Sequence, residues 1–329
     1  MRHLVAILCL VASLAKAETV EFVRDLDGRG QYICLQGRNL FLLTGADAKP
    51  PRPGCWFEIE KDPAAPTLVS RTLPGGWDIA LTGQYAVLCD YTRDLKICDT
   101  RDRGWKEVGR TKMPSLTENV IVRNGLAFVA THTGGLTIVN IADATKPAVV
   151  GRLSPKIDCD AIALTGETAI LYAHWESRLV MVDVKDPANP TQIGVYQHEG
   201  GFNQGEMDYA DGFAFCTGKT LVIVDVRDPA KAKLAASVDF KGMVHDVVVK
   251  DDCAFVAVGG QGIHVLDVKD PTRPVELGAY RSPDLHALQL AVSHNAAFHI
   301  YVANGKGPAK VLLLDRKSTR LNSSHTIQS

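Results

Sequence analysis

The stretch Thr220–Ala235, TLVIVDVRDPAKAKLA, decides the fold. Five β-branched or apolar residues run without a break into Asp225, and Asp228-Pro229 follows. A strand with one face in water alternates apolar and polar residues, so a continuous run must be covered on both faces. Asp-Pro suits the first two positions of a type I turn, so the strand is followed by a tight reversal.

The same phrase recurs along the chain. It reads WFEIEKDPAAPTLVSR from Trp56, LKICDTRDRGWKEVGR from Leu95, LTIVNIADATKPAVVGR from Leu136, LVMVDVKDPANPTQIGV from Leu179 and IHVLDVKDPTRPVELGA from Ile263, with VLLLD from Val311. The acidic column is Glu60, Asp99, Asn140, Asp183, Asp225, Asp267 and Asp315, at spacings of 39, 41, 43, 42, 42 and 48. A unit of this length used seven times indicates a repeat architecture. Each unit places a second apolar strand before the phrase, as in YAVLCD (Tyr85), LAFVAT (Leu126), TAILYA (Thr168), FAFCTG (Phe213), CAFVAV (Cys253) and AAFHIY (Ala296). Before that lies another, as in IALTG (Ile79 and Ile162) and VVVKDD (Val247). A fourth ends near Gly109, Gly151, Gly194 or Gly278. No stretch has a helical period, so each unit reads as a four-stranded antiparallel meander. One such sheet cannot hide two apolar faces, but radially packed copies hide both. The expected fold is all-β, a seven-bladed β-propeller. TVEFVRDL from Thr19 is placed to supply the outer strand that the last blade lacks.

LVIVDV at Leu221–Val226 matches the signature of the LVIVD-repeat family, with a weaker copy where Glu60 stands for Asp. YVANGKGPAKVLLLD from Tyr301 also resembles a YVTN-type propeller repeat. These resemblances imply an exported or surface-associated propeller. Signatures of WD, kelch, sialidase and quinoprotein propellers are not visible.

The opening MRHLVAILCLVASLAKAETV has a basic start, a short apolar core and Ala15-Lys16-Ala17, the pattern of a secretory leader over residues 1–17. The core is too short for a transmembrane helix, so the expectation is an exported protein, periplasmic, secreted or at the cell surface. At the other end, DRKSTRLNSSH (Asp315–His325) resembles the translation of a sequencing adapter. Residues 316–329 are therefore read as foreign to the gene, and residues 18–315 as the propeller. A net charge of −1 gives no basic face for phosphate backbones, so nucleic acid is not expected as a partner. Of eight cysteines, Cys9 lies in the leader. Cys89 and Cys98 flank a hairpin and could bridge, while Cys159, Cys216 and Cys253 read as buried thiols.

In a propeller the first strand of a blade begins, and the second ends, on the same face of the ring. Aligning the blades on Ala86, Ala127, Ala169, Ala214, Ala254 and Ala297, the position eight earlier holds Asp78, Asn119, Ala161, Glu206, Asp246 and Gln289. One residue before those stand Trp77, Glu118, Asp160, Gly205, His245 and Leu288; five after the column stand Tyr91, His132, His174 and Lys219, with Trp175 adjacent. The expected site is this channel mouth, with Asp78, Asn119, Asp160, Glu206, Asp246, Gln289, His132, His174, His245 and Trp175 as its binding residues. No catalytic residue is assigned. Carboxylates and imidazoles can hold a divalent metal. The leading expectation is a non-enzymatic scaffold that binds a protein, glycan or surface component. The alternative is a propeller hydrolase or lyase whose metal is held by Asp78, Glu206, Asp246 and His132, His174 or His245. The connection His198–Gly212 is the widest departure from the repeat and reads as a partner-contacting loop.

Overall fold

A computed structural model describes residues 20–26, 32–44, 53–101, 105–154, 157–295 and 297–314. The leader, Asp315 and the tail 316–329 lie outside the described residues, as do Asp27 and Gly28. Seven four-stranded antiparallel sheets form the fold. Blade 1 runs from Tyr32 to Leu73, blade 2 from Asp78 to Lys112, blade 3 from Thr117 to Leu153, blade 4 from Ala161 to Gln197, blade 5 from Phe202 to Val238 and blade 6 from Asp246 to Tyr280. Blade 7 takes Ala287–His294, Phe298–Asn304 and Lys310–Leu314 from the far end of the chain, and Val20–Asp25 pairs on its outside, Val20 opposite Leu314. The first strand of every blade touches the first strand of the next, and blade 7 touches blade 1, so the ring is closed. The buried Lys310 amine ties the closure, 3.0 Å from Asp25 Oδ1 and 2.8 Å from Asp284 Oδ2. Among the described residues no helix is long and apolar enough to cross a membrane.

The packing explains the repeated phrase residue by residue. In Leu221–Asp225, Leu221 and Ile223 enter the core shared with blade 6, whereas Val222 and Val224 enter the core shared with blade 4. Burying each such side chain contributes about 1.5–3 kcal/mol. The acid ends the strand: Asp99, Asn140, Asp183, Asp225 and Asp267 each accept the backbone N–H two residues on, at 2.8–3.2 Å. The Asp of the following turn does the same, Asp186 Oδ1 accepting from Ala188 N at 3.0 Å while Asn189 N donates to Asp186 O at 3.1 Å. The fourth strand then bulges opposite Ile138, Met181 and their equivalents, and in blades 2, 3 and 4 a glycine follows the bulge. That glycine receives the next blade's turn. A Cβ on Gly109, Gly151 or Gly194 would lie 1.9, 1.9 or 1.8 Å from the carbonyl oxygen of Ala144, Pro187 or Pro229.

Four sequence expectations change. Cys89 packs toward blade 3 and Cys98 toward blade 1, so they sit on opposite faces of their sheet and do not bridge; none of the seven described cysteines is in a disulfide. The acid equivalent in blade 1 is Glu58, opposite Asn39 as Asp99 is opposite Tyr85, not Glu60. Ala297 lies at the tip of a lengthened hairpin in blade 7, ahead of the second strand Phe298–Asn304. The expected loop His198–Gly212 is largely the inner strand of blade 5, Phe202–Ala210, with the His198 ring stacked on Phe202 at 5.0 Å.

Candidate site at the channel mouth

The inner strands are sheet edges, and their outward N–H groups need acceptors. Polar side chains on the preceding blade supply them. Gln36 Oε1 accepts from Leu81 N at 2.5 Å and Asp78 Oδ2 from Val120 N at 2.8 Å. Asn119 Oδ1 accepts from Ile162 N at 3.1 Å, and Asp208 Oδ2 from Val249 N at 2.7 Å. Asp246 Oδ2 accepts from Leu290 N at 2.7 Å and Gln289 Oε1 from Ile33 N at 3.0 Å. Six of the seven blade junctions carry this clasp. At the junction of blades 4 and 5, where Ala161 offers no acceptor, Tyr172 Oη donates to Thr217 O at 2.6 Å and Tyr209 Oη to Thr165 Oγ1 at 2.9 Å. The structure therefore places Asp78, Asn119, Asp246 and Gln289 in the clasp. Burial pushes the Asp78 carboxyl up to about 6 despite the hydrogen bonds it receives. Glu206 and Asp246 are raised by burial, Glu206 further by the nearby Asp246. Gln289 Nε2 also donates to Glu206 Oε1 at 2.6 Å, joining blades 7 and 5 across the channel.

Beside this layer opens a cavity of about 760 Å³. One wall is aromatic: Trp77 stacks on Tyr91 with ring centroids 4.1 Å apart and on Tyr32 at 5.1 Å. Tyr91 holds φ at +58°, which a bulky residue adopts only when its surroundings enforce it. The buried Trp77 Nε1 has no hydrogen-bond partner. The other wall is acidic and comes from blades 3 and 4. A bulge between Thr117 and Asn119 turns Glu118 toward the mouth, the way bulges re-aim side chains. Its carboxyl is pushed up to about 8 by burial and by Asp160 and Asp158. His132, at the end of the second strand of blade 3, places Nδ1 3.3 Å from Glu118 Oε1 and Nε2 3.7 Å from Asp158 Oδ2. Cys159 N donates to His132 O and Asp160 N to Tyr172 O, fixing the intervening segment. His174 Nδ1 lies 2.7 Å from Asp160 Oδ2, which also accepts His174 N at 3.0 Å. Trp175 beside it is 71% exposed. A third group pairs His245 with His286, rings 5.6 Å apart, and burial followed by His286 lowers the pKa of His245.

Of the expected residues, the structure thus brings His132, Asp160, His174 and Trp175 together with Glu118, and sets His245 apart with His286. Lys219 is exposed and does not line the cavity. Asp158 and His286 escaped the sequence reading because both precede the inner strands at offsets that the blade alignment does not share.

A family model for the LVIVD repeat matches residues 116–154, 170–198, 210–240 and 241–282. A search among curated proteins finds no match. Solved structures of similar shape include the WD40 domain of Toxoplasma gondii coronin, with a TM-score of 0.66 and 11% identity over 94% of this chain and 89% of that one. The Neurospora crassa Pan2 WD40 domain gives 0.64 at 13% identity, covering 88% and 90%. The Pseudomonas aeruginosa periplasmic gluconolactonase PpgL gives 0.61 at 12% identity, covering 76% and 86%. At these identities the likeness shows the fold alone. The chain is a seven-bladed β-propeller, and LVIVD repeats are found in four stretches of it between residues 116 and 282.

Proposed function

We propose that the protein is an exported binding module whose channel mouth takes a glycan or a similar polyhydroxylated ligand. One observation carries the reading: a stacked aromatic wall, Tyr32, Trp77 and Tyr91, faces carboxylates and imidazoles across a single cavity, with Trp175 exposed at its rim. Sugar rings present C–H faces that pack on aromatic rings and hydroxyls that pair with carboxylates, and binding pockets commonly combine an apolar wall with a few polar groups. The leader-type segment 1–17 supports export.

The test is a screen of the tag-free protein on an array of immobilised oligosaccharides, followed by solution titration of the best saccharide. Trp175→Ala removes an exposed ring without touching the core. Losing one aromatic contact of about 0.5–1.5 kcal/mol should weaken binding about 2- to 13-fold. No retention of any saccharide, or equal binding by the variant, would overturn the reading.

A further inference from the structure

We propose that Glu118, His132 and Asp160 form a site for a divalent transition-metal cation of the zinc or manganese kind. Ligand atoms of these three residues lie within 4.8 Å of one another. Six carboxylates line the cavity, Asp78, Glu118, Asp160, Glu206, Asp208 and Asp246, and no lysine or arginine is among the described lining residues. Four of the six are accounted for: Asp78, Asp208 and Asp246 accept backbone N–H groups of the next blade, and Glu206 accepts from Gln289. Glu118 is different. Its side chain is only 7% exposed, and its nearest polar partner is His132 Nδ1, itself a buried nitrogen with no hydrogen bond. A buried carboxylate facing a second carboxylate and an unpartnered imidazole nitrogen leaves an unmet need that a cation fills.

The surroundings are those of metal ligands. Imidazoles that bind metals usually have their other ring nitrogen oriented by a carboxylate, and Asp158 stands 3.7 Å from His132 Nε2. His174 holds Asp160 through its backbone N–H, with its ring Nδ1 2.7 Å from the same carboxylate oxygen. Gly205 packs behind Asp160, where a Cβ would lie 3.1 Å from Asp160 Cβ and 3.5 Å from His174 Nδ1. One nitrogen among two carboxylate oxygens selects a borderline transition ion over calcium or magnesium, which prefer all-oxygen shells. Metal–ligand distances of about 2.0–2.2 Å place ligand atoms about 3.4 Å apart around a tetrahedral ion, so binding draws the three side chains inward.

The site stands apart from the glycan reading, because it is measured with the metal alone. Tag-free protein stripped with chelator is titrated calorimetrically with Zn²⁺, then with Mn²⁺ and Ca²⁺, and its Co²⁺ complex is followed by visible absorption. The expected result is one Zn²⁺ per chain, weakened at least 10-fold in Glu118→Gln and again in His132→Gln. The Co²⁺ spectrum should show nitrogen-containing low coordination in wild type and lose it in His132→Gln. Glu118→Gln keeps the side-chain shape, so it serves if the histidine variant does not fold. Failure of the wild type to bind Zn²⁺, preference for Ca²⁺, or unchanged affinity in Glu118→Gln would overturn the proposal.

Discussion

Replacing Gly151 with alanine puts the packing between blades to a quantitative test. The added Cβ would lie 1.9 Å from Pro187 O, 3.0 Å from Pro187 C and 3.2 Å from Pro190 Cδ. A carbon and an oxygen settle no closer than about 3.3 Å, so the Asp186-Pro187 turn of blade 4 must retreat by roughly 1.4 Å. Overpacking of this kind costs about 1–3 kcal/mol, and backbone on both sides of the contact argues for the upper end. In a chain of this size about 3 kcal/mol lowers Tm by roughly 4–6 °C. Blade 5 supplies the control, because Ala236 stands opposite Ile223 as Gly151 stands opposite Ile138. The fourth strand itself therefore accepts a Cβ, and the cost at Gly151 comes from the neighbouring turn. Ala236→Gly should change stability only by about 0.5–1 kcal/mol, the usual cost of an added glycine. Differential scanning calorimetry reads both variants. A Gly151→Ala melt within about 1 °C of wild type would refute the seated turn, and with it the explanation of the repeat glycine.

Other consequences follow from the two polar layers at the channel. Asp78→Ala strands the Val120 N–H, a loss of about 1–3 kcal/mol in chemical denaturation, whereas Asp78→Asn keeps an acceptor and should lose less. Glu118 and Asp78 have carboxyls raised in the folded state to about 8 and about 6. A raised carboxyl favours the fold when protonated, so its contribution is present at low pH and is lost as pH rises through the folded value. Metal-free protein should therefore gain Tm as pH falls from 8.5 to 6.5, less so in Glu118→Gln; a flat profile would contradict the burial of Glu118. Gly205→Ala should displace Asp160 and His174 and weaken Zn²⁺ binding more than it lowers Tm, which paired calorimetry and melting will show.

The ring was legible in the sequence because its determinants are local and periodic. Apolar residues on both faces of the third strand and an Asx turn after it recur in blades 2 to 6, and a glycine receives the neighbouring turn in blades 2, 3 and 4, so the pattern could be read without knowing which blades touch. The site was legible only as a ring of polar positions. Asp78 and Glu118 look alike as acids at the start of inner strands, yet one clasps the next blade and the other turns into the mouth on a bulge. Which acid does which depends on one residue of register, and a linear alignment cannot see register. Asp158 and His286 lie in connections whose lengths differ between blades, and Cys89 and Cys98 show the converse error, since closeness in a hairpin says nothing about which face each side chain takes.

The most direct test of the division between clasp and mouth is a melting series on metal-free protein comparing Asp78→Ala, Asn119→Ala and Asp246→Ala with Glu118→Gln and Trp175→Ala. The clasp variants should each lose several degrees, Trp175→Ala should melt with the wild type, and Glu118→Gln should melt at or above it at pH 8.5, because it removes a buried charge held near Asp160. Mouth variants that melt as early as clasp variants would show that those side chains hold the ring together, and would contradict their assignment to a ligand.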